Sequence, residues 1–185
     1  MTTMTTERAT GLAVPRAQTF DGAALTLAGV GARVKKICGL GVKVYACGFY
    51  VDAVGVREAM GDGETDALEA LKTCERSIRL KFARDVGGDK IVEALAERIR
   101  PAMDADSTSL KRFEAIFDGV SFKKGTSLDF TATADGALAT RIKGKKVSHI
   151  ADRALVDALF AAYVGADPVI PSLKSAVREF IENLR

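Results

Sequence analysis

Two polar residues stand out in this sequence because little around them could satisfy them. Arg33 and Tyr45 lie twelve positions apart in LAGVGARVKKICGLGVKVYACGFYVD, residues 27–52, in strands that are otherwise mostly apolar or small. An arginine keeps its charge at any accessible pH, so inside a sheet it needs an anionic or carbonyl partner. A tyrosine hydroxyl nearby supplies a second donor. Together the two would grip a carboxylate or an oxyanion at the end of an apolar slot. The bland alternative stays open at this point: Arg33 paired with an internal Asp or Glu, and Tyr45 filling core volume. Cys47, two residues beyond Tyr45, falls on the same side of an extended strand, either touching the same ligand or packed as a buried thiol.

Other chemistry is thin. The chain has one histidine, His149, just before a helix, with no metal partners and no Ser or Cys beside it. Cys38, Cys47 and Cys74 form no CxxC and cannot all pair within one chain, so they read as reduced thiols of an intracellular compartment. No metal and no cofactor is expected. The GxG at Gly29 and Gly31 lacks a third glycine and is followed by a strand, so it is not a dinucleotide fingerprint. Arg84 and Asp85 read as a structural salt link or cap, with Arg84 a candidate for the mouth of a cleft. Lys143, Lys145 and Lys146 read as a solvated hairpin edge.

Composition narrows the function classes. The 185 residues suit one domain, 48% are apolar and 28% charged, and 27 basic against 24 acidic side chains leave a net charge of +3. That excess gives no reason to invoke nucleic acid or an anionic membrane. No run reaches the ~18 apolar residues of a membrane span. A cytoplasmic protein is expected, with an organelle such as a plastid left open, and a monomer. Residues 1–18 are Thr-rich and aperiodic and read as a flexible tail, with the domain over residues 19–185.

The elements that must position Arg33 and Tyr45 follow from periodicity. Alternation over residues 24–53 predicts two strands of about ten residues, broken near Cys38-Gly39-Leu40-Gly41, with Val42, Val44 and Tyr50 sharing a phase. A helix follows, with Thr65 as a cap candidate. Residues 76–86 alternate as a half-buried strand. Helices are predicted over about 88–101 and 106–118, the second turning Phe113 and Phe117 inward; Phe122 also reads as core. A hairpin at 127–133 and 138–148 turns at Asp135-Gly136, and helices at about 151–164 and 172–184 close the chain. Short connections imply an α+β fold, an antiparallel sheet with helices packed mainly on one face. The partly open face is a candidate ligand surface.

GxGxR, then VYACGFYVD, resembles the opening strand pair of the chalcone isomerase family. IRLKFARDV, FEAIFDGVSFKKGTSLDF and ALFAAYVGADPV continue the likeness in order, so it covers about residues 20–185. The resemblance implies an open-faced β-sandwich with a cleft between sheet and helices. It also implies one of two functions. In the isomerases an arginine stabilises the enolate formed as a chalcone closes to a flavanone, and Arg33 falls on it, as the catalytic residue if this chain is an isomerase. Their threonine is replaced here by Tyr45. Their tyrosine and asparagine helpers fall near Gly87 and Ala94, and a late hydroxyl near Val156 or Asp157, none of which matches. In the fatty-acid-binding branch the arginine is paired with a tyrosine that helps hold a carboxylate, and Arg33 and Tyr45 follow that pattern. The expectation is therefore non-catalytic binding of a fatty acid or similar amphipathic carboxylate, with Arg33, Tyr45 and Cys47 as ligand-binding residues. A flavonoid-like ligand and weak isomerase activity are the alternative, and a helper of a partner enzyme is a third reading. The blend of both branches' features also leaves open a reconstructed, ancestral-type sequence.

Overall fold

A computed structural model of the chain describes residues 3–20, 22–61 and 65–185. Along the chain lie β1 (Met4–Thr6), β2 (Ala13–Pro15), β3 (Ala17–Phe20), β4 (Ala23–Ile37), β5 (Leu40–Val51), α1 (Ala53–Met60) and α2 (Ala67–Ala70). Then come β6 (Arg76–Phe82), β7 (Val86–Gly87), α3 (Gly88–Ile99), α4 (Thr108–Ala115), β8 (Ser121–Phe122), β9 (Ser127–Ala132), β10 (Leu138–Ile142), β11 (Lys145–Ile150), α5 (Arg153–Val164) and α6 (Pro171–Glu182). Seven strands form one antiparallel sheet in the order β11-β10-β9-β6-β5-β4-β3.

The β4–β5 hairpin is the spine of the sheet. Its two-residue turn is Cys38–Gly39, with φ of 49° and 79°. Two consecutive left-handed residues match the right-handed twist of the flanking strands. Lys143 and Gly144, at 52° and 80°, make a second such turn. It splits the segment expected as one strand over 138–148 into β10 and β11, and β11 is the sheet's edge.

Helices start where short polar side chains can take up free amide donors. The Asp52 carboxylate accepts from the amides of Val54 and Gly55, and Asp152 from that of Leu155. Asp66, rather than Thr65, caps α2, and α1 is an additional helix before it. The helices' apolar sides close over one face of the sheet. Phe113, Phe117 and Phe122 are buried there, as expected, with the rings of Phe82 and Phe122 stacked at 4.4 Å. Among the described residues no helix is long and apolar enough to cross a membrane.

The N-terminal segment differs from the flexible tail the sequence suggests. Residues 4–6 pair with 13–15, and β3 joins the sheet edge beside β4. Composition misleads here because three-residue strands are too short to show a period, and their anchors are long-range. Val14 is fully buried, Tyr50 donates its hydroxyl to the Pro15 carbonyl (2.9 Å) and Lys81 donates to the Ala13 carbonyl (2.9 Å). The Glu7 carboxylate accepts from the amides of Ala9 and Thr10 and from the Thr10 hydroxyl. Burial alone would raise its pKa, but these bonds hold it below the ordinary value. This N-terminal hairpin covers part of the face the sequence left open.

Candidate functional site

The cleft lies on the helix side of the sheet instead. It opens where β4 and β5 run on past their neighbours, and Arg33 sits directly across from Tyr45 in the register. A bulge between Arg33 and Val34 leaves Val44 without a partner. One extra residue shifts the side-chain phase. Val42 and Val44 before the bulge, and Tyr45 after it, therefore all line the same cavity. The even-numbered phase read from the sequence continues through Val44 and then gives way to Tyr45, Cys47 and Phe49, while Tyr50 turns to the opposite face with Phe20 and Leu25.

The two glycines of the GxG motif set the roof. A Cβ on Gly31 would stand 2.8 Å from Ile170 Cγ2, and one on Gly29 would stand 3.1 Å from Val177 Cγ2. Glycine here lets α6 and the loop before it lie against β4. That approach brings the Val169 carbonyl to Arg33, whose Nη1 donates to it at 3.3 Å. A guanidinium has five N–H donors. Among the described residues Arg33 has no carboxylate partner. The wall opposite is α3 and the turn before it, supplying Arg84, Val86, Gly87, Ile91, Ala94 and Leu95.

The cavity holds about 550 Å³, within the ~300–1,000 Å³ usual for small-molecule sites. Aliphatic side chains from both walls line its body. Arg33, Lys35, Arg84, Lys90 and Arg98 bring positive charge to it, against Asp85 and Glu97. Asp85 is already held by the Lys123 ammonium (2.8 Å) and the Lys124 amide (2.9 Å), and Arg98 and Lys90 pair with Asp167 (2.5 Å) and Glu93 (3.5 Å). The site is thus apolar in body with a positive excess at its polar positions.

Tyr45 is buried, and its hydroxyl lies 3.4 Å from that of Tyr163 on α5. Burial pushes the pKa of both phenols up, only partly offset by the nearby charge of Arg33. Both hydroxyls are consequently neutral at ordinary pH and able to donate. The group is therefore one permanent cation beside two protonated phenols, an arrangement suited to receiving negative charge. Gly87 and Ala94 do line this cavity, and neither offers a side-chain donor. Val156 is buried in the core, and Asp157 pairs instead with Arg76 (3.1 Å).

Cys47 is not brought to the cleft surface. It is paired across the sheet with Gly31 and Leu80, has 0% exposure, and burial raises its thiol pKa, so it packs as an inert core residue. His149 is exposed and its Nε2 lies 3.0 Å from Asp135 Oδ2. Among the described residues no cluster of His, Cys, Asp and Glu could hold a metal. The sequence reading missed Tyr163 and the Val169 carbonyl. Tyr163 follows Val156, Leu159 and Phe160 on one helical stripe, so it looks like core; only the packing of α5 over β5 shows where its hydroxyl ends.

Comparison with known proteins gives a consistent family. The family model described as chalcone isomerase-like matches residues 6–177. Fatty-acid-binding protein 2 of Arabidopsis thaliana is 26% identical over 175 residues, covering 82% of this chain. Fatty-acid-binding protein 1 of the same plant is 25% identical over 178 residues, covering 85%. The chain spans about 43% and 63% of the length of these two relatives. The crystal structure of an Arabidopsis thaliana fatty-acid binding protein superposes with a TM-score of 0.85 at 21% identity, over 98% of both chains. At that identity the likeness speaks for the fold: mixed α and β, with a curled antiparallel sheet and six helices.

Proposed function

This chain belongs to the chalcone isomerase-like family, and we propose that it binds a fatty acid or a similar amphipathic carboxylate rather than isomerising a chalcone. One observation carries the reading: a charged Arg33 without a carboxylate partner among the described residues, beside the neutral Tyr45 hydroxyl, in an apolar cleft, with the buried Tyr163 hydroxyl behind it. A carboxylate head group supplies what the site lacks. Arg33 donates charge-assisted bonds worth ~1.5–3 kcal/mol, and Tyr45 adds a neutral one. Each methylene buried along Val42, Val44, Leu80, Ile91 and Leu95 contributes ~0.8 kcal/mol. The names of the Arabidopsis relatives support the same ligand class.

The isomerase reading keeps Arg33 as an enolate stabiliser, a donor of a kind worth ~2.7–4 kcal/mol. Against it, Gly87 and Ala94 bring no hydroxyl or amide side chain to the cavity, so the ordering of ketone and water falls to Tyr45. The deciding experiment pairs native mass spectrometry of purified protein with displacement of a fluorescent fatty acid, and with the decay of chalcone absorbance. Fatty-acid uptake with a chalcone rate equal to buffer is the expected result. Folded protein that takes up no fatty acid removes the proposal, and a rate above buffer with one flavanone enantiomer in excess replaces it with the isomerase.

A further inference from the structure

The β4–β5 hairpin does more than wall the cleft. Beyond Arg33 and Tyr45 it has no neighbour in the sheet, since β3 pairs only with Ala23–Thr26 and β6 only from Tyr45 onward. Residues 34–43 therefore project as a two-stranded arm. Its side chains are unusual for an unsupported ribbon. Leu40 is 72% exposed, Ile37 48% and Val34 41%, and these are three of the six large exposed apolar residues among the described ones. Ile37 and Leu40 are cross-strand partners at the tip, on the side that continues into the cavity lining through Lys35 and Val42. Exposed lysines Lys35, Lys36 and Lys43 flank this apolar tip, and no acidic residue occurs between positions 22 and 51.

We propose that this arm is an interfacial anchor for an anionic lipid surface, with Leu40 and Ile37 entering the headgroup boundary and the lysines resting on the lipid charges. The chemistry matches in both halves. Apolar side chains at a protein's tip are stabilised by partial insertion, and each lysine near an anionic bilayer adds attraction. A surface grip made of both kinds lies on the membrane without spanning it. An acidic protein would satisfy the lysines but leave Leu40 in water, so the lipid surface is the better match. The arm is also a wall of the cleft, so its docking would set the cavity lining beside the bilayer from which an amphipathic carboxylate partitions.

The test is co-sedimentation of the full chain with fatty-acid-free vesicles, either pure phosphatidylcholine or a mixture with phosphatidylglycerol, at low salt. Two variants avoid the cavity lining: Leu40→Asp, and the pair Lys36→Glu with Lys43→Glu. The wild type is expected to sediment with anionic vesicles and not with neutral ones. Each variant is expected to lower the partition coefficient more than about ten-fold, while thermal unfolding and fatty-acid displacement stay unchanged. Wild type left in the supernatant with anionic vesicles overturns the proposal. So does sedimentation that neither variant reduces, because another surface then does the binding. Capture by an acidic carrier protein without vesicle binding also overturns it. Vesicle binding is read without any fatty acid, so its failure is distinct from a failure of the cleft to take up ligand.

Discussion

Two arginines on neighbouring regions of the same sheet have opposite surroundings. Arg79, on β6, points to the face under the N-terminal hairpin. Its Nε and Nη2 donate to the two oxygens of Asp129 at 2.6 and 2.9 Å, Nη1 donates to Gln18, and the guanidinium lies 5.3 Å from the Phe20 ring centroid. Arg33, on β4, faces the helices and has one carbonyl at 3.3 Å. A charge matched by a bidentate carboxylate holds a structure together. A half-buried charge without a carboxylate partner, beside an apolar cavity, keeps donors free for an anion that enters. The internal ion pair that counted as the bland alternative for Arg33 is present in this protein, but it belongs to Arg79 with Asp129 and, at the start of β6, to Arg76 with Asp157.

The largest effect should come from breaking the matched pair. Asp129 is 1% exposed, so Asp129→Ala leaves Arg79 buried without its carboxylate. A loss of about 3–5 kcal/mol is expected in urea unfolding, with fatty-acid affinity of the remaining folded protein unchanged. Arg33→Ala should reverse the pattern. Affinity should fall about 10- to 100-fold, from the loss of ~1.5–3 kcal/mol of charge-assisted bonding, while unfolding moves by no more than about 0.5 kcal/mol. If Arg33→Ala instead destabilises as strongly as Asp129→Ala and spares binding, Arg33 is a second structural arginine and the contrast collapses.

The two arginines were not equally legible. Arg79 sits in a clean alternation, Ile78, Leu80 and Phe82 against Arg79 and Lys81, so its strand and its face follow from sequence. Its partner does not, because Asp129 is fifty residues away on another hairpin. Arg33 and Tyr45 were singled out by type, yet their alignment depends on the Val44 bulge, which leaves no mark in composition. Tyr163 was hidden because a polar tip on an apolar helical stripe has the same spacing as core. The N-terminal strands were missed because β2 is held by contacts with Tyr50 and Lys81, and β1 by its pairing with β2, rather than by any local period. The β4–β5 hairpin and the aromatic core were local signals and could be read directly, whereas the cap of α2 fell one residue later than read and the turn at Lys143–Gly144 broke a strand read as continuous.

The smallest effect isolates a hydroxyl. Tyr45→Phe keeps the ring against Phe82 (6.1 Å between centroids) and removes the donor. Affinity should fall by ~0.5–1.5 kcal/mol, less than for Arg33→Ala, in the same displacement titration. The same variant reads the proton. The folded-state pKa of Tyr45 is raised above its unfolded value near 10, so the folded chain holds this proton more tightly. Its stabilisation is complete below about pH 10 and is lost as pH rises through that value toward the folded pKa. Wild-type stability should therefore decline as pH rises above about 10, and Tyr45→Phe should decline less steeply, by at most ~1.4 kcal/mol per pH unit. Equal slopes would mean that the Tyr45 hydroxyl is hydrated in solution and that its burial adds nothing to the pH dependence of stability.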